Sequence, residues 1–314
     1  MRRHLLTALT ALFLLPIPLA YGQGCSDAGF CTMGAMKPDQ PFNKKIEFKL
    51  RSMEISFYRG TTTLTPIVYV ATADLNFSIN TKTSVQVKLP YQAVTGRLAN
   101  TSGLGDISLC FTRNILTNEK FDVNLSVGGK IPTNNSNKET QGFALPMYYQ
   151  TSLGTYDFIT GISFITKKWL FATGIQHPFN KNKNDFIWQE WIENGGPASD
   201  AYIEKYNNAR ELKRGTDVML RVERNWRFSR LNLSLGLLPI YRITNDEITS
   251  PAGERIKPVG AHGLALSGIF TAGYNFNVQS GIKLLLGHKI VNRDFNPDGL
   301  TRELVSTISY YYRF

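Results

Sequence analysis

The sequence predicts an all-β protein: a transmembrane antiparallel up-and-down β-barrel of about 12 strands, with the N- and C-termini in the periplasm. Three observations predict it. The C-terminal stretch alternates with a period of two and stops on an aromatic residue, the N-terminus has the pattern of a secretory signal, and long breaks alternate with short ones along the strand pattern. The expected organisation is a signal peptide over residues 1–22, an N-terminal periplasmic segment or plug over 23–43 and a barrel over 44–314.

The closing stretch, residues 301–314, has one apolar, aromatic-rich face and one mixed face. The apolar face consists of Leu304, Ser306, Ile308, Tyr310, Tyr312 and Phe314. A final aromatic strand is typical of the insertion signal that the barrel-assembly machinery reads, and we assign that signal to Tyr310, Tyr312 and Phe314. The alternative is an edge strand of a soluble sandwich, but this would leave three consecutive tyrosines and a phenylalanine on an unprotected sheet edge.

The first 22 residues predict a secretory signal peptide. Arg2 and Arg3 form a basic start, an apolar run extends from Leu5 to Ala20, and cleavage is expected after Gly22. The run is short and contains two prolines, which argues against a transmembrane helix. Cys25 raises the alternative of a lipoprotein, but the residues before it lack the branched aliphatic side chain that lipidation requires.

The chain is basic, with a formal charge of +11, of which Arg2 and Arg3 leave with the signal peptide, so that the mature chain carries +9. The positive charge is scattered and not gathered into a run, which argues against nucleic acid as a partner. Attraction to outer-membrane lipid with anionic lipopolysaccharide explains the positive charge at least as well, and so does a lumen that favours anions. The expected location is the cell outer membrane of a Gram-negative bacterium, as an integral protein.

Two of the three cysteines lie close together, at Cys25 and Cys31. In an oxidising periplasm we expect them to form a small disulfide loop, with free thiols as the alternative. No histidine lies nearby, so the pair predicts no metal site. Cys110 lies within a strand and is left over. Residues 23–43 are either a periplasmic tail or a plug folded into the barrel.

From Lys44 onward the strands are separated by breaks that sort by length. Short breaks are predicted at 80–83, 117–120, 167–168, 228–230 and 276–279, and long breaks at 59–65, 92–103, 132–152, 177–215, 245–262 and 291–300. This alternation predicts short periplasmic turns and long extracellular loops. Soluble all-β folds have no reason to sort their connections in this way.

Each predicted strand is justified by its own alternation. The first, over 45–58, changes parity near Arg51–Ser52, which indicates a β-bulge. The strands over 121–128, 169–176, 216–227, 231–244, 263–275 and 279–290 alternate regularly, and a sixth strand is expected over 153–166. In the longest loop, Ser199 is predicted to cap a short helix that extends through Leu212.

Four short motifs carry a resemblance to one barrel family. They are DLNFSINTKTSVQVKLPY over 74–91, GLGDISL over 103–109, GGKIPT over 128–133 and SLGTYDF over 152–158. In this order they resemble the outer-membrane transporter-like proteins named after the MetA pathway of phenol degradation, over roughly residues 65–180. The family's usual glycine after Thr155 is Tyr156 here. The resemblance implies carriage of aromatic or other small organic compounds, and it brings no catalytic residues.

Catalysis and cofactors are not expected. The mature chain has only three histidines, His177, His262 and His288, which fall at predicted strand ends or on the outward face. No serine in a lipase-like context accompanies any of them, so no pair of nucleophile and base is predicted. Neither a cofactor nor a metal ion is expected.

Ten charged residues share the parity of polar neighbours and should therefore point into the barrel, because a charge on the lipid face is costly. They are Asp74, Lys88, Asp106, Asp122, Lys130, Asp157, Arg221, Glu223, Lys283 and Arg313. They form either a salt-bridged network that fills the lumen or a constriction that selects solutes by charge. In the longest loop, Phe186, Trp188 and Trp191 are candidates either for a site where an apolar ligand enters or for packing of the loop over the mouth.

These features predict a porin-like passive channel or transporter for small solutes, hydrophobic or aromatic ones included. The alternative is a non-conducting structural or adhesion barrel that presents long extracellular loops. A lumen filled with paired charges and the N-terminal segment would favour the alternative, and a continuous water path would favour the channel.

Overall fold

The computed structural model describes residues 33, 49–62, 64, 66–300 and 302–314. The signal peptide, the Cys25 and Cys31 pair and most of the segment 23–43 lie outside the described residues, so the expectations about them remain predictions. Within the described residues no helix is long and apolar enough to cross a membrane.

Twelve long strands form one closed antiparallel sheet, which confirms the predicted barrel. Each strand pairs with its neighbours along the chain, and the first strand also pairs with the last. The strands are β1 Lys49–Thr62, β2 Ile67–Ser78, β3 Thr83–Thr95, β4 Ile107–Thr117, β5 Phe121–Ile131, β6 Asp157–Thr166, β7 Trp169–Pro178, β8 Asp217–Arg227, β9 Leu231–Arg242, β10 Gly263–Asn275, β11 Ser280–Val291 and β12 Arg302–Arg313.

The tight turns 79–82, 118–120, 167–168, 228–230 and 276–279 lie at one end of the barrel, and the long connections lie at the other, as the alternation of breaks predicted. The exception is the connection between β1 and β2, which is short because it comprises only residues 63–66. The predicted bulge is also present, since the register between β1 and β2 shifts between Leu50 and Ser52. The guanidinium of Arg51 there donates to the Ser78 hydroxyl at 2.9 Å.

Two predicted long loops are wrong in their bounds. Residues 59–62 belong to β1, because their pairing with β2 and β12 continues to Thr61 and Thr62 and satisfies their backbone groups. The prediction of a loop over 92–103 is corrected in the same way: β3 continues to Thr95 and then pairs with a short strand, Asn100–Leu104. Long-range pairing overrode the turn propensity of these polar residues.

Two predictions around the long loops also need correction. The sixth strand starts at Asp157 and not at residue 153, because the Leu153 amide donates to the Asp106 carboxylate and Gly154 has a φ of +69°. Ser199 does precede a helix, but the helix ends at Ile203 and the serine side chain makes no capping hydrogen bond. The residues up to Leu212 instead form backbone hydrogen bonds across the loop. For example, the Ala209 amide donates to the Phe186 carbonyl at 3.1 Å.

The outward face of the barrel is apolar. On β12, the predicted lipid face is exposed, with Leu304 at 45% and Tyr310 at 46%. Aromatic rings gather at the end with the short turns, where Tyr312 and Phe314 pack with centroids 5.0 Å apart. Such a belt is what a barrel presents to the hydrocarbon region and its interface. The described loops contain two short α-helices, α1 Trp188–Glu193 and α2 Asp200–Ile203, and two short hairpins, Glu139–Thr140 with Phe143–Ala144 and Ile248–Thr249 with Arg255–Ile256.

Candidate functional site in the barrel lumen

A row of polar side chains crosses the inner wall of the first half of the barrel. The strand registers place its members directly opposite one another on β1 to β6, in the order Glu54, Asp74, Lys88, Ser108, Lys130 and Asp157. The row starts near the middle of β1 and finishes at the long-loop end of β6, because barrel strands are tilted. It therefore lines one wall from the middle of the lumen to its long-loop end.

The charges of this row are paired. Lys88 lies 3.8 Å from Asp74, whose carboxylate also accepts a hydrogen bond from Gln86 at 2.7 Å. Lys130 lies 3.9 Å from Asp106. All five side chains are buried, so each pair is largely shielded from bulk water. The row is thus a lining of alternating charge and not a ring of one sign.

The remaining charged candidates also lie in pairs or against rings. Asp157 binds the Arg214 guanidinium, which comes from the loop before β8. Arg221 and Glu223 bind each other on β8, with an Nε to Oε1 distance of 2.6 Å. At the short-turn end, Lys283 lies 3.9 Å from Glu54, Asp122 accepts from Thr117 at 2.7 Å, and Arg313 lies over the Tyr311 ring.

Arg242, at the long-loop end of β9, holds three buried carboxylates. Its guanidinium donates to Asp217 and Asp246 at 2.7–2.8 Å and to Asp298 at 3.0 Å. Asp217 starts β8, whereas Asp246 and Asp298 belong to the loops 243–262 and 292–301. Arg293 adds a second guanidinium, 3.8 Å from both Asp217 and Asp298. One arginine therefore connects the barrel wall to two long loops.

The two loop carboxylates of this cluster respond differently to their surroundings. Burial disfavours ionisation of Asp298, but the guanidinium groups of Arg242 and Arg293 outweigh it and lower its pKa to about 2. Burial raises the pKa of Asp246, with Arg242 opposing and the neighbouring Asp298 adding to the increase. At neutral pH, Asp298 is thus the securely ionised partner of the two arginines.

The second half of the lumen carries an apolar wall. Its buried side chains come from β4 and from β6 to β10: Cys110, Ile159, Leu170, Ala172, Met219, Leu238 and Ile269. Ile165, Ile240 and Leu285 pack against them. Met33, the one described residue ahead of β1, is 2% exposed and belongs to the same cluster. The N-terminal segment therefore has at least this side chain inside the barrel.

The contact of Met33 with the lumen wall can be tested through Cys110, which is free and buried. We expect Met33→Cys, in a background with Cys25→Ser and Cys31→Ser, to form a cross-link to Cys110 with a short bifunctional thiol reagent. Both side chains belong to one packed cluster. The product should migrate faster on a denaturing gel without reductant. Val278→Cys in the same background should give no cross-link, because Val278 is 88% exposed in a short turn. Equal yields for the two variants would contradict the contact.

The predicted aromatic residues of the longest loop lie in a second apolar cluster. Phe186 and Trp191 are buried, and Trp188 packs against them. This cluster also contains Val68, Val70 and Val94 from the long-loop ends of β2 and β3, with Leu145, Tyr148, Tyr149, Tyr202, Ile203 and Tyr206 from the loops. Trp191 also lines a surface cavity of about 460 Å³. The loop is thereby packed onto the barrel over part of its mouth.

Sequence reasoning missed several groups of the lumen. Arg242 and Lys289 share the inward parity of their strands and could have been found in the same way as the ten candidates. Arg214, Asp246, Asp298 and Arg293 lie in loops that have no alternation to read, so no sequence signal marked them. Each forms an ion pair with a buried side chain of opposite charge on a barrel strand.

Comparisons with known proteins bear on the fold. No family model and no curated protein matches the chain. Among solved structures, the COG4313 outer membrane channel from Pseudomonas putida F1 superposes with a TM-score of 0.59 at 14% identity, covering 88% of this chain and 99% of that chain. The NanC porin superposes with a TM-score of 0.43 at 8% identity, covering 85% and 99%. The first likeness supports an outer-membrane barrel fold, and the second is too low to carry an argument.

Proposed function

We propose that the protein is an outer-membrane channel or transporter that passes small solutes passively, hydrophobic or aromatic ones included. The observation that carries the proposal is the polar row from Glu54 to Asp157, which lines the lumen from its middle to its long-loop end. A wall of fixed, alternating charges replaces part of the hydration shell of an ion or polar solute, as polar linings do in other channels. The COG4313 likeness and the resemblance of residues 65–180 to the MetA-pathway proteins support the same class.

The apolar wall opposite the row supports the second part of the proposal. Leu170, Met219, Leu238 and Ile269 offer a surface on which an apolar solute loses its contact with water. A lumen with one polar and one apolar wall suits solutes that are small and only partly polar. We include segment 23–43 in the proposal as a plug of this lumen, because Met33 packs on its apolar wall.

A non-conducting structural barrel is the second candidate, and one observation favours it. Most inward charges are engaged in ion pairs, and the loop cluster around Phe186 and Trp191 covers part of the mouth. Paired charges leave little field to attract ions. On this alternative, the long loops are the functional surface and the lumen serves as a packed core.

Single-channel conductance in a planar bilayer distinguishes the two. We expect small current steps from the full mature protein and larger ones after deletion of residues 23–43, because the deletion removes Met33 from the lumen. Lys88→Gln should shift the reversal potential in a salt gradient toward cation preference, since it leaves Asp74 uncompensated in the row. Lys120→Gln is the matched control, because Lys120 lies exposed in a short turn.

The channel and the structural barrel predict different results in these measurements. Larger steps after the deletion would support the plug, and a selectivity change in Lys88→Gln alone would support conduction along the polar row. The absence of current from both proteins, with circular dichroism showing an intact barrel, would contradict the channel and leave the structural barrel. An equal shift for Lys88→Gln and Lys120→Gln would contradict a path along the row.

A further inference from the structure

Three buried hydrogen-bond donors on the adjacent strands β11, β12 and β1 lack a hydrogen-bond acceptor among the described residues. They are Nζ of Lys289 on β11, Nε of Arg302 on β12 and the hydroxyl of Tyr58 on β1. Lys289 is 1% exposed and Arg302 is 4% exposed. Most buried polar atoms in folded proteins do have a partner, so a group of three without one requires an explanation.

The three donors come from adjacent strands. His288 lies opposite Leu304 in the last pair of the β11 to β12 register, and Lys289 and Arg302 lie within two residues of this pair on the two strands. Leu304 faces Thr61 of β1 while Arg302 faces Thr62, which makes Glu303 an extra residue of the bulge. Arg302 thereby turns inward although it shares the sequence parity of the lipid-facing Leu304. The Tyr58 hydroxyl lies within electrostatic and hydrogen-bonding reach of Arg302, and because a guanidinium can only donate, the hydroxyl proton remains to be donated.

Gly60 provides room for the Tyr58 ring. A Cβ at position 60 would lie 2.9 Å from ring carbons of Tyr58, so only a glycine permits this placement of the phenol. Tyr58 packs against the loop cluster on one side. Its hydroxyl is thus fixed beside Arg302 by packing and is not free to rotate toward another acceptor.

Carboxylates of the described residues form no close ion pair with Lys289 or Arg302. No salt bridge within 4.0 Å joins Lys289 or Arg302 to an acidic side chain within the part of the chain that the structure describes, although Glu303 acts on Lys289 electrostatically. Arg302 donates from Nη1 to the Gly299 carbonyl at 2.8 Å, which leaves its Nε without a partner. A buried cation without an anion is costly, whereas one paired with a carboxylate forms strong, charge-assisted hydrogen bonds.

The apolar wall begins next to these donors. Ser267 lies opposite Lys289 on one side and Leu238 on the other, and Leu238 belongs to the apolar wall. Ile269 faces Gly287, one inward position below Lys289, and Leu285 follows one position further. A ligand held by the donors would therefore place its remaining atoms against these three apolar side chains.

We propose that Lys289, Arg302 and Tyr58 bind the carboxylate of a small organic acid whose apolar part packs on Leu238, Ile269 and Leu285. This assignment rests on the proposed function and names its substrate class as amphipathic carboxylates. The two oxygens of a carboxylate have enough lone pairs to accept from all three donors at once. An inorganic anion would satisfy the donors but make no use of the adjacent apolar wall, and a neutral aromatic compound would leave the cations unpaired.

Isothermal titration calorimetry on the folded protein in lipid nanodiscs tests this assignment, with benzoate as the probe and benzyl alcohol as its neutral counterpart. We expect benzoate to bind at least tenfold more tightly than benzyl alcohol. Lys289→Met should weaken benzoate binding at least tenfold, because it removes a charged donor, and Tyr58→Phe should weaken it about fivefold. Lys257→Met is the matched control: it removes the same charge from a lysine that is exposed in the loop 243–262, where it lies 3.6 Å from Glu247.

Benzoate affinity that falls in Lys289→Met and stays unchanged in Lys257→Met would support the site. An equal loss in both variants would mean that only the net charge of the protein matters, which overturns it. Equal affinity for benzoate and benzyl alcohol, or displacement of benzoate by inorganic phosphate at the same concentration, would overturn the amphipathic carboxylate as the ligand. Calorimetry requires no conduction, so a protein that binds benzoate but passes no current would refute the channel and leave the site standing.

Discussion

Replacing Arg242 with methionine should destabilise the folded barrel by about 3–5 kcal/mol, because it leaves buried carboxylates without their main partner. Asp217, Asp246 and Asp298 each accept at least one hydrogen bond from this guanidinium. Arg293 remains, but it lies 3.8 Å from the two carboxylates it reaches and cannot replace the lost donors. The two long loops that carry Asp246 and Asp298 should separate from the barrel wall first.

Urea titration in lipid bilayers, followed by tryptophan fluorescence, measures this loss of free energy of unfolding. Arg255→Met is the matched control, because Arg255 forms an exposed ion pair with Glu247 at 3.7 Å in the same loop. Exposed pairs contribute about 0–1 kcal/mol. If the two variants were equally stable, the Arg242 cluster would not be what holds the loops. Adding Asp246→Asn to Arg242→Met should restore part of the loss, since one uncompensated charge is then removed.

Acid should weaken the same cluster without a mutation. The pKa of Asp298 is lowered to about 2 in the folded protein, below its ordinary value of 3.8, so ionised Asp298 stabilises the fold above about pH 4. This contribution, on the order of 2 kcal/mol, is lost as the pH falls toward 2. Asp246 has a raised pKa and takes up its proton at higher pH, so it does not contribute to this loss. The acid-induced decrease should be smaller in Asp298→Asn by about this amount, because the contribution of Asp298 is then missing at every pH.

Replacing Leu237 with arginine should cost about 2–4 kcal/mol in a lipid bilayer, because it places a charge on the hydrocarbon-facing side near the middle of a strand. Leu237 is 50% exposed on the outer face of β9, halfway between the two ends of the barrel. In water an exposed leucine is easily replaced, so a large effect depends on lipid being the surrounding solvent. Urea titration in bilayers of defined thickness gives the value.

Val278→Arg is the control for the added charge itself. Val278 is 88% exposed, but it lies in the turn between β10 and β11, outside the span of the strands. We expect this variant to change the free energy of unfolding by less than about 1 kcal/mol. Equal costs for the two variants would contradict the embedding of the outer face in hydrocarbon.

The alternation of side chains was readable from the chain alone. Leu304, Ile308 and Tyr310 alternate with Val305, Thr307 and Ser309, and a period of two has only one geometric solution, a strand with two different faces. Because a charge is costly in lipid, the face that carries the charged residues must point into the lumen. For this reason the strands, the bulge at Arg51 and the inward parity of Asp74 or Lys130 could be predicted without any contact being known.

Predictions failed where long-range pairing competes with local propensity. Gly96 and the polar residues around it favour a loop, yet the chain there extends β3 and turns back to pair with it. Ser199 favours a longer helix, yet the loop satisfies its backbone groups across the fold. A local signal cannot include a partner that lies 20 or more residues away in sequence, as Asn184 does for the Glu211 amide.

The sequence by itself determined the barrel, its approximate strand number, the general sorting of long and short connections and the side of the wall on which most strand residues lie. Only the tertiary structure decided which charges meet. Closure of the sheet sets the stagger between strands, and this stagger places Glu54 to Asp157 in one row, brings loop aspartates onto Arg242 and leaves the donors of Lys289, Arg302 and Tyr58 without acceptors among the described residues. Alternation is a property of one strand, whereas stagger, loop return and ion pairing are properties of the closed barrel.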